Sequence, residues 1–273
     1  MKLLKIMLML FVGLFVTGCE KVIKEELKTA APRLVVDASI DWVKNTAGNE
    51  QKIVLSTTTG YFSSEFPSVS GAIITVTNPS NTVFNFVETP GTGQYLCNNF
   101  LPVIGQTYTL KIVLNGETYT ASEIFTPVPE IEDNIDQNSE GGEVGDEMEI
   151  TFYYKDDASQ KNYYLNSITQ PHSTFPELEV EDDEHTNGNL MQESYSHEKL
   201  KAGDQVDIKL YGISKSYYNY MFKLIVASGN DGNPFPTIPS AVRGNIVNQT
   251  NNDNYAFGYF RLAEVATKSY TIK

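Results

Sequence analysis

Cysteine, histidine and basic side chains are scarce in this 273-residue sequence. The two cysteines, Cys19 and Cys97, are too few for a disulfide-stapled scaffold or a cysteine-built zinc module. His172, His185 and His197 have no ligand spacing between them, and His197-Glu198 lacks the second histidine of a zinc-protease helix. Lys and Arg number 20 against 34 Asp and Glu, a net charge of −14. Such a chain repels phosphate backbones, which argues against nucleic-acid binding by counterion release. Gly141-Gly142 is followed by neither the Lys-Ser/Thr pair nor the strand-loop-helix context of a phosphate loop. No Gly-x-Ser-x-Gly elbow occurs. No catalytic residue, metal ligand or cofactor site is singled out, and the chain reads as a non-enzyme.

Only one apolar run is long. Lys2 and Lys5 precede Ile6–Val16, about the length of a signal-peptide core and too short for a mature membrane span. Val16-Thr17-Gly18-Cys19 resembles the bacterial lipobox, which implies that residues 1–18 are a lipoprotein signal peptide and that the Cys19 thiol is acylated. Loss of Lys2 and Lys5 would take the net charge from −14 to −16. Several acyl chains on Cys19 give durable attachment to membrane lipid, where one chain is marginal. Residues 19–32, beginning Cys19-Glu20-Lys21, read as a lipidated, charged tether, and Cys97 as a small buried hydrophobe.

The rest is rich in core material: 41% of residues are hydrophobic, with 16 Tyr and 14 Phe. From residue 33 the dominant period is two. Leu34, Val36, Ala38 and Ile40 alternate with Val35, Asp37, Ser39 and Asp41. Tyr108, Leu110, Ile112 and Leu114 form a second such run, and Asn115-Gly116 then predicts a tight hairpin into Glu117–Ala121. Further strands are expected at Lys52–Thr59, Ala72–Thr77, Thr82–Val87 and Gln94–Cys97. This count predicts a mainly β chain whose residues 33–128 form an immunoglobulin-like β-sandwich. Thr126-Pro127-Val128-Pro129 marks a boundary, and residues 129–146, acidic and poor in apolar side chains, read as a linker or loop. Patterning resumes over 147–273, a second β-rich domain with strands near Met148–Tyr154, Asn162–Ile168 and Val206–Leu210.

One helix is expected, over residues 215–227, capped by Ser214 or Ser216, stopped at Ser228-Gly229, and carrying a stripe of Tyr218, Met221, Phe222 and Ile225. The acidic run Glu177–Glu184 reads first as a solvated loop, with Ca²⁺ collection the alternative; it lacks the glycine and the alternating Asp/Asn of a calcium loop. Asn230-Asp231-Gly232-Asn233 is a turn before it is a cation site. In Tyr153-Tyr154 and Tyr163-Tyr164, neighbouring strand residues face opposite sides, so one ring of each pair should point outward.

Near the C-terminus stand Gly244-Asn245-Ile246-Val247-Asn248 and Gly258-Tyr259-Phe260. Together with Cys19-Glu20-Lys21, Leu34-Val35-Val36-Asp37 and Gly105–Leu110 they resemble the DUF4249 family of Bacteroidetes lipoproteins over essentially the whole mature chain. That family brings no catalytic residues to carry over. It implies an outer-membrane lipoprotein, facing the periplasm or the cell surface, encoded beside a TonB-dependent receptor of the SusC-like kind and serving as an accessory or lid in substrate capture. Gly244, Gly258, Asn245 and Asn248 read as structural residues that free the backbone or lock a turn. A surface hydrolase with paired carboxylates and a calcium-dependent adhesin are the competing readings.

Overall fold

The computed structural model describes residues 30–60, 63, 65–229 and 241–273, and the chain from Pro32 to Lys273 forms one compact unit. The expected signal segment, Cys19, most of the expected tether and the turn expected at Asn230–Asn233 lie outside the described residues.

Seven strands build the first half: β1 (Leu34–Val43), β2 (Gln51–Thr57), β3 (Ile73–Thr77), β4 (Val83–Thr89), β5 (Gln94–Cys97), β6 (Thr107–Leu114) and β7 (Glu117–Ile124). They pair in the order β1-β2-β5-β4 and β3-β6-β7, with β3 also bonded to β4. Four strands in A-B-E-D order facing three in C-F-G order is the constant-type immunoglobulin arrangement. Tyr108 marks the same topology: it begins the sixth strand, is fully buried, and donates from its hydroxyl to the Leu101 carbonyl at 2.6 Å, as in a tyrosine corner. Asn115 and Gly116 both take positive φ, 51° and 80°, in the hairpin from β6 to β7. The inward residues of both sheets, among them Val36, Ile53, Phe84, Phe100 and Leu110, merge into one core that also holds Cys97.

Residues 129–146 are not a linker. Ile131–Gly141 is strand β8, which opens a second sandwich with β9 (Glu147–Lys155), β10 (Tyr163–Thr169), β11 (Glu177–Asp182), β12 (Leu190–His197) and β13 (Gln205–Gly212). Only Ile131 and Gly141 of β8 are buried, and its pairing with β9 slips in two places. An irregular edge strand with one face in water needs few apolar residues, which is why composition concealed it. The acidic run is likewise not a loop: Glu177–Asp182 is β11, an edge strand on β10.

The helix α1 spans Lys215–Ser228; the Ser214 hydroxyl accepts from Tyr217 N, and Gly229 ends it in the left-handed region at φ 79°. Its packed face is rotated from the expected stripe, with Tyr217 and Met221 buried and Phe222 54% exposed. Among the described residues no helix is long and apolar enough to cross a membrane.

After α1 come β14 (Val247–Asn248) and the long β15 (Phe257–Thr271). β15 joins the halves. Phe257–Val265 pairs in parallel with β1, and Val265–Thr271 pairs antiparallel with β13. It thus completes a β11-β10-β13-β15 sheet that faces β12-β9-β8 across a core containing Phe152, Tyr154, Tyr164 and Ile208. α1 covers the outer face of that sheet, where Tyr217 and Met221 meet Leu165, Tyr211 and Val265. β14 in turn adds to β7 of the first half. Two sandwiches with separate cores therefore share one strand. The boundary expected between 33–128 and 147–273 separates cores, not free-standing bodies.

Candidate functional site

Two clusters gather the residues that the sequence marks. The first lies where residues 244–254 meet the first sandwich and β15. Asn245 reads the backbone of Phe260 like a neighbouring strand: its Nδ2 donates to Phe260 O, and its Oδ1 accepts from Phe260 N, both at 2.9 Å. A Cβ on Gly244 would overlap the Gly258 carbonyl oxygen, and one on Gly258, at φ 93°, would overlap the Val36 carbonyl oxygen. Only glycine permits both approaches. Asn248, 2% exposed, accepts from Thr250 N and Asn251 N and donates to Asn254 O and Glu117. Hydrogen bonds from Tyr119, Asn254 and Asn248 hold the Glu117 carboxyl below the usual carboxylate range. Tyr259 donates to Glu123 Oε2 at 3.0 Å, beside the Ser214 hydroxyl, and Phe260 lies in the first core. Gly244, Asn245, Gly258, Tyr259 and Phe260 thus come together as a buried joint, with Asn248 fastening the adjacent loop. No side chain of this group presents an open polar atom to a ligand.

The second cluster is a mouth between the edge strands of the second sandwich. In β11 the glutamates alternate with Leu178 and Val180. Register places Glu177, Glu179 and Glu181 opposite Ile168, Asn166 and Tyr164, so all share the face that looks into the sandwich. From the opposite sheet Glu193 of β12 points inward between Met191 and Tyr195, and Tyr154 Oη donates to it at 3.1 Å. One carboxylate oxygen from each of Glu179, Glu181 and Glu193 lies within 4.8 Å of the others. Asn166 sits beside Glu193, close enough to pull that carboxyl downward, is 2% exposed, and has neither Oδ1 nor Nδ2 in a hydrogen bond of ordinary length. A cavity of about 370 Å³ opens beside it, lined also by Glu177, Glu179, Ser194, Tyr195 and Phe222.

The electrostatics are unfavourable for three free carboxylates. Burial, then Glu179 and Asp182, pushes the Glu181 carboxyl up to about 7. Burial, then Glu181, pushes Glu193 to about 7 as well, against the opposing pull of the Tyr154 hydroxyl. Among the described residues no lysine or arginine pairs with any of the three. Chemically, the mouth offers oxygen donors and negative charge.

Against a library of family models, residues 20–269 match one described as "Domain of unknown function (DUF4249)". The chain belongs to the DUF4249 family. No curated protein matches its sequence. Among solved structures, this DUF4249 chain is similar to a two-domain fibronectin type III segment of chicken tenascin, at 14% identity and a TM-score of 0.22, covering 69% of this chain and 89% of that one. A DUF4785 family protein from Legionella pneumophila matches at 8% identity and TM-score 0.26, over 66% of this chain and 52% of the other. The chicken CNTN1 FN1–FN3 domains match at 10% and 0.22, over 60% and 56%.

Several residues of the DUF4249 fold escaped sequence reasoning. Glu193 joins β11 only across the sandwich. Arg261 was also missed, although a lone charge inside Tyr259-Phe260-Arg261-Leu262-Ala263 signals a buried ion pair. His172 and His197, without ligand spacing in sequence, stack with ring centroids 6.3 Å apart, and the His172 ring bonds Asp204 at 2.7 Å. Of the paired tyrosines, Tyr154 and Tyr164 point inward; Tyr153 bonds Asp136, and Tyr163 packs on Tyr218 of α1.

Proposed function

We propose that this DUF4249 chain is a non-enzymatic lipoprotein of the outer membrane, held by acyl chains on Cys19, that docks on a TonB-dependent receptor of the SusC-like kind and helps capture or gate its substrate. The observation that carries the anchor is the Val16-Thr17-Gly18-Cys19 lipobox behind a basic start and apolar core, and the docking part is what the DUF4249 resemblance implies. The spacing from Cys19 to Leu34 supports it. Fully extended, that stretch reaches at most about 50 Å, enough to present the folded body to a membrane neighbour while keeping it at the surface. The non-enzymatic part is motivated by the sequence, in which no Gly-x-Ser-x-Gly elbow or zinc-protease histidine pair stands out.

Gentle detergent extraction of native cells with crosslinking tests the proposal. Recovery of a TonB-dependent receptor with the wild-type chain, lost with Cys19→Ser, is expected. Recovery of the chain alone, with Cys19 acylated, overturns the docking claim; a bare Cys19 thiol by mass spectrometry overturns the anchor.

A further inference from the structure

We infer that Glu179, Glu181 and Glu193, backed by Asn166 Oδ1, form a binding site for one divalent cation of the Ca²⁺ type that clasps the two sheets of the second sandwich. The inference stands on geometry and is independent of the transporter reading.

Three points separated by no more than 4.8 Å always have a common point within about 2.8 Å of each. That is close to the 2.3–2.6 Å of Ca²⁺–oxygen bonds, so small side-chain rotations complete the contact. The donors are three carboxylates and one amide oxygen, all hard oxygen ligands. Of these, Glu179 and Asn166 line a 370 Å³ cavity that water can fill. Ca²⁺ accepts such an irregular shell of six to eight oxygens, whereas Mg²⁺ demands near-octahedral geometry.

Two features separate this site from ordinary surface acidity. Inward charges on an edge strand can serve to block edge-to-edge pairing, and that accounts for Glu177 and Glu179 on β11. It does not account for Glu193, which belongs to the opposite sheet and points at them. Nor does it account for Asn166, an amide 2% exposed beside Glu193, with neither polar atom in a hydrogen bond of ordinary length. An orphaned buried amide is costly unless something outside the chain completes it. A cation among the carboxylates gives Oδ1 a partner and removes their mutual repulsion, and a water of its shell can accept from Nδ2. Tyr154 Oη, donating to Glu193, orients that carboxylate from behind.

Calorimetry and thermal unfolding of the full, detergent-solubilised chain after EDTA treatment provide the test. The expected result is one Ca²⁺ per chain and a Tm rise of about 3–6 °C at tenfold excess over Kd. Mg²⁺ at the same concentration should give a smaller rise. Glu193→Gln and Glu179→Gln should each weaken Ca²⁺ binding at least tenfold while leaving the metal-free Tm unchanged or higher, since each removes repulsion. That pairing of readouts distinguishes lost binding from lost folding. Asn166→Asp, which adds a fourth carboxylate, should tighten binding. No heat and no Tm change up to about 10 mM Ca²⁺, beyond the range of weak extracellular calcium modules, overturns the inference. So does a Ca²⁺ response that persists undiminished in Glu193→Gln.

Discussion

Arg261 shows how much a single side chain can hold in this seam. It lies on β15 with 8% of its side chain exposed; its Nη2 donates to Asp41 of β1 at 2.5 Å, and its guanidinium lies over the Tyr211 ring with the centroid 4.7 Å away. A buried guanidinium that loses its carboxylate is left as an uncompensated charge, which costs more than the intact pair contributes. Asp41→Ala is therefore expected to destabilise by about 2–4 kcal/mol in urea unfolding, discounted from the fully buried case because Asp41 is partly exposed. The double change Asp41→Ala with Arg261→Met should recover much of that loss; an additive loss would refute the account. The same scale separates what was legible from what was not. Gly244, Asn245 and Gly258 stood out through the DUF4249 resemblance, and their residue types then suited a structural role, because only glycine fits those close approaches and asparagine is suited to mimic backbone. Glu193 carries no such mark, since its partners lie more than ten positions away in sequence and meet it only through the sandwich.

Among the elements, the strands that alternate between a core and water were the easiest to read. β1, β5 and β6 alternate cleanly because one side meets a core and the other meets water. β15 is the longest strand, yet its centre, Tyr259–Ala263, is buried throughout because a core or helix covers each face, so no period of two appears. β8 fails for the opposite reason, having almost nothing to bury. α1 was legible through its cap and its glycine stop, but its orientation follows from packing against Tyr211 and Tyr259, which the helical period cannot specify. The N-terminus of α1 is tied to β7 and β15 through Glu123, which accepts from Ile124 N, the Ser214 hydroxyl and the Tyr259 hydroxyl. Burial raises the Glu123 carboxyl above its ordinary 4.5, against those hydrogen bonds. The folded chain then keeps a proton that the unfolded chain has released. Stability should fall as pH rises from about 4.5 through the raised value and level off above it. Glu181 and Glu193 act with the same sign up to about 7. Glu123→Gln should therefore flatten part of the slope, as measured by urea midpoints between pH 4.5 and 8; an unchanged slope would show that Glu123 titrates normally.

At the scale of the whole molecule, the shared β15 makes the two cores mutually dependent. The second core loses its edge strand if β15 leaves, and the first loses Phe260 and Leu262. Cys97 reports on the first core because it is buried there at 4% exposure. In a Cys19→Ser chain, Ile208→Ala, a change confined to the second core, should cost about 2–4 kcal/mol and raise the rate of Cys97 thiol labelling at least tenfold. Labelling that ignores the substitution would show that the halves open separately. The direction of β1 has a mechanical consequence too. Because it runs parallel to β15 over nine paired positions, Val35–Val43 against Phe257–Val265, the chain enters this ladder at one end and leaves it at the other. A tug between the residue 33 side and the residue 272 side loads every rung in shear at once, so the fold should resist such force far better than a hairpin that unzips one bond at a time.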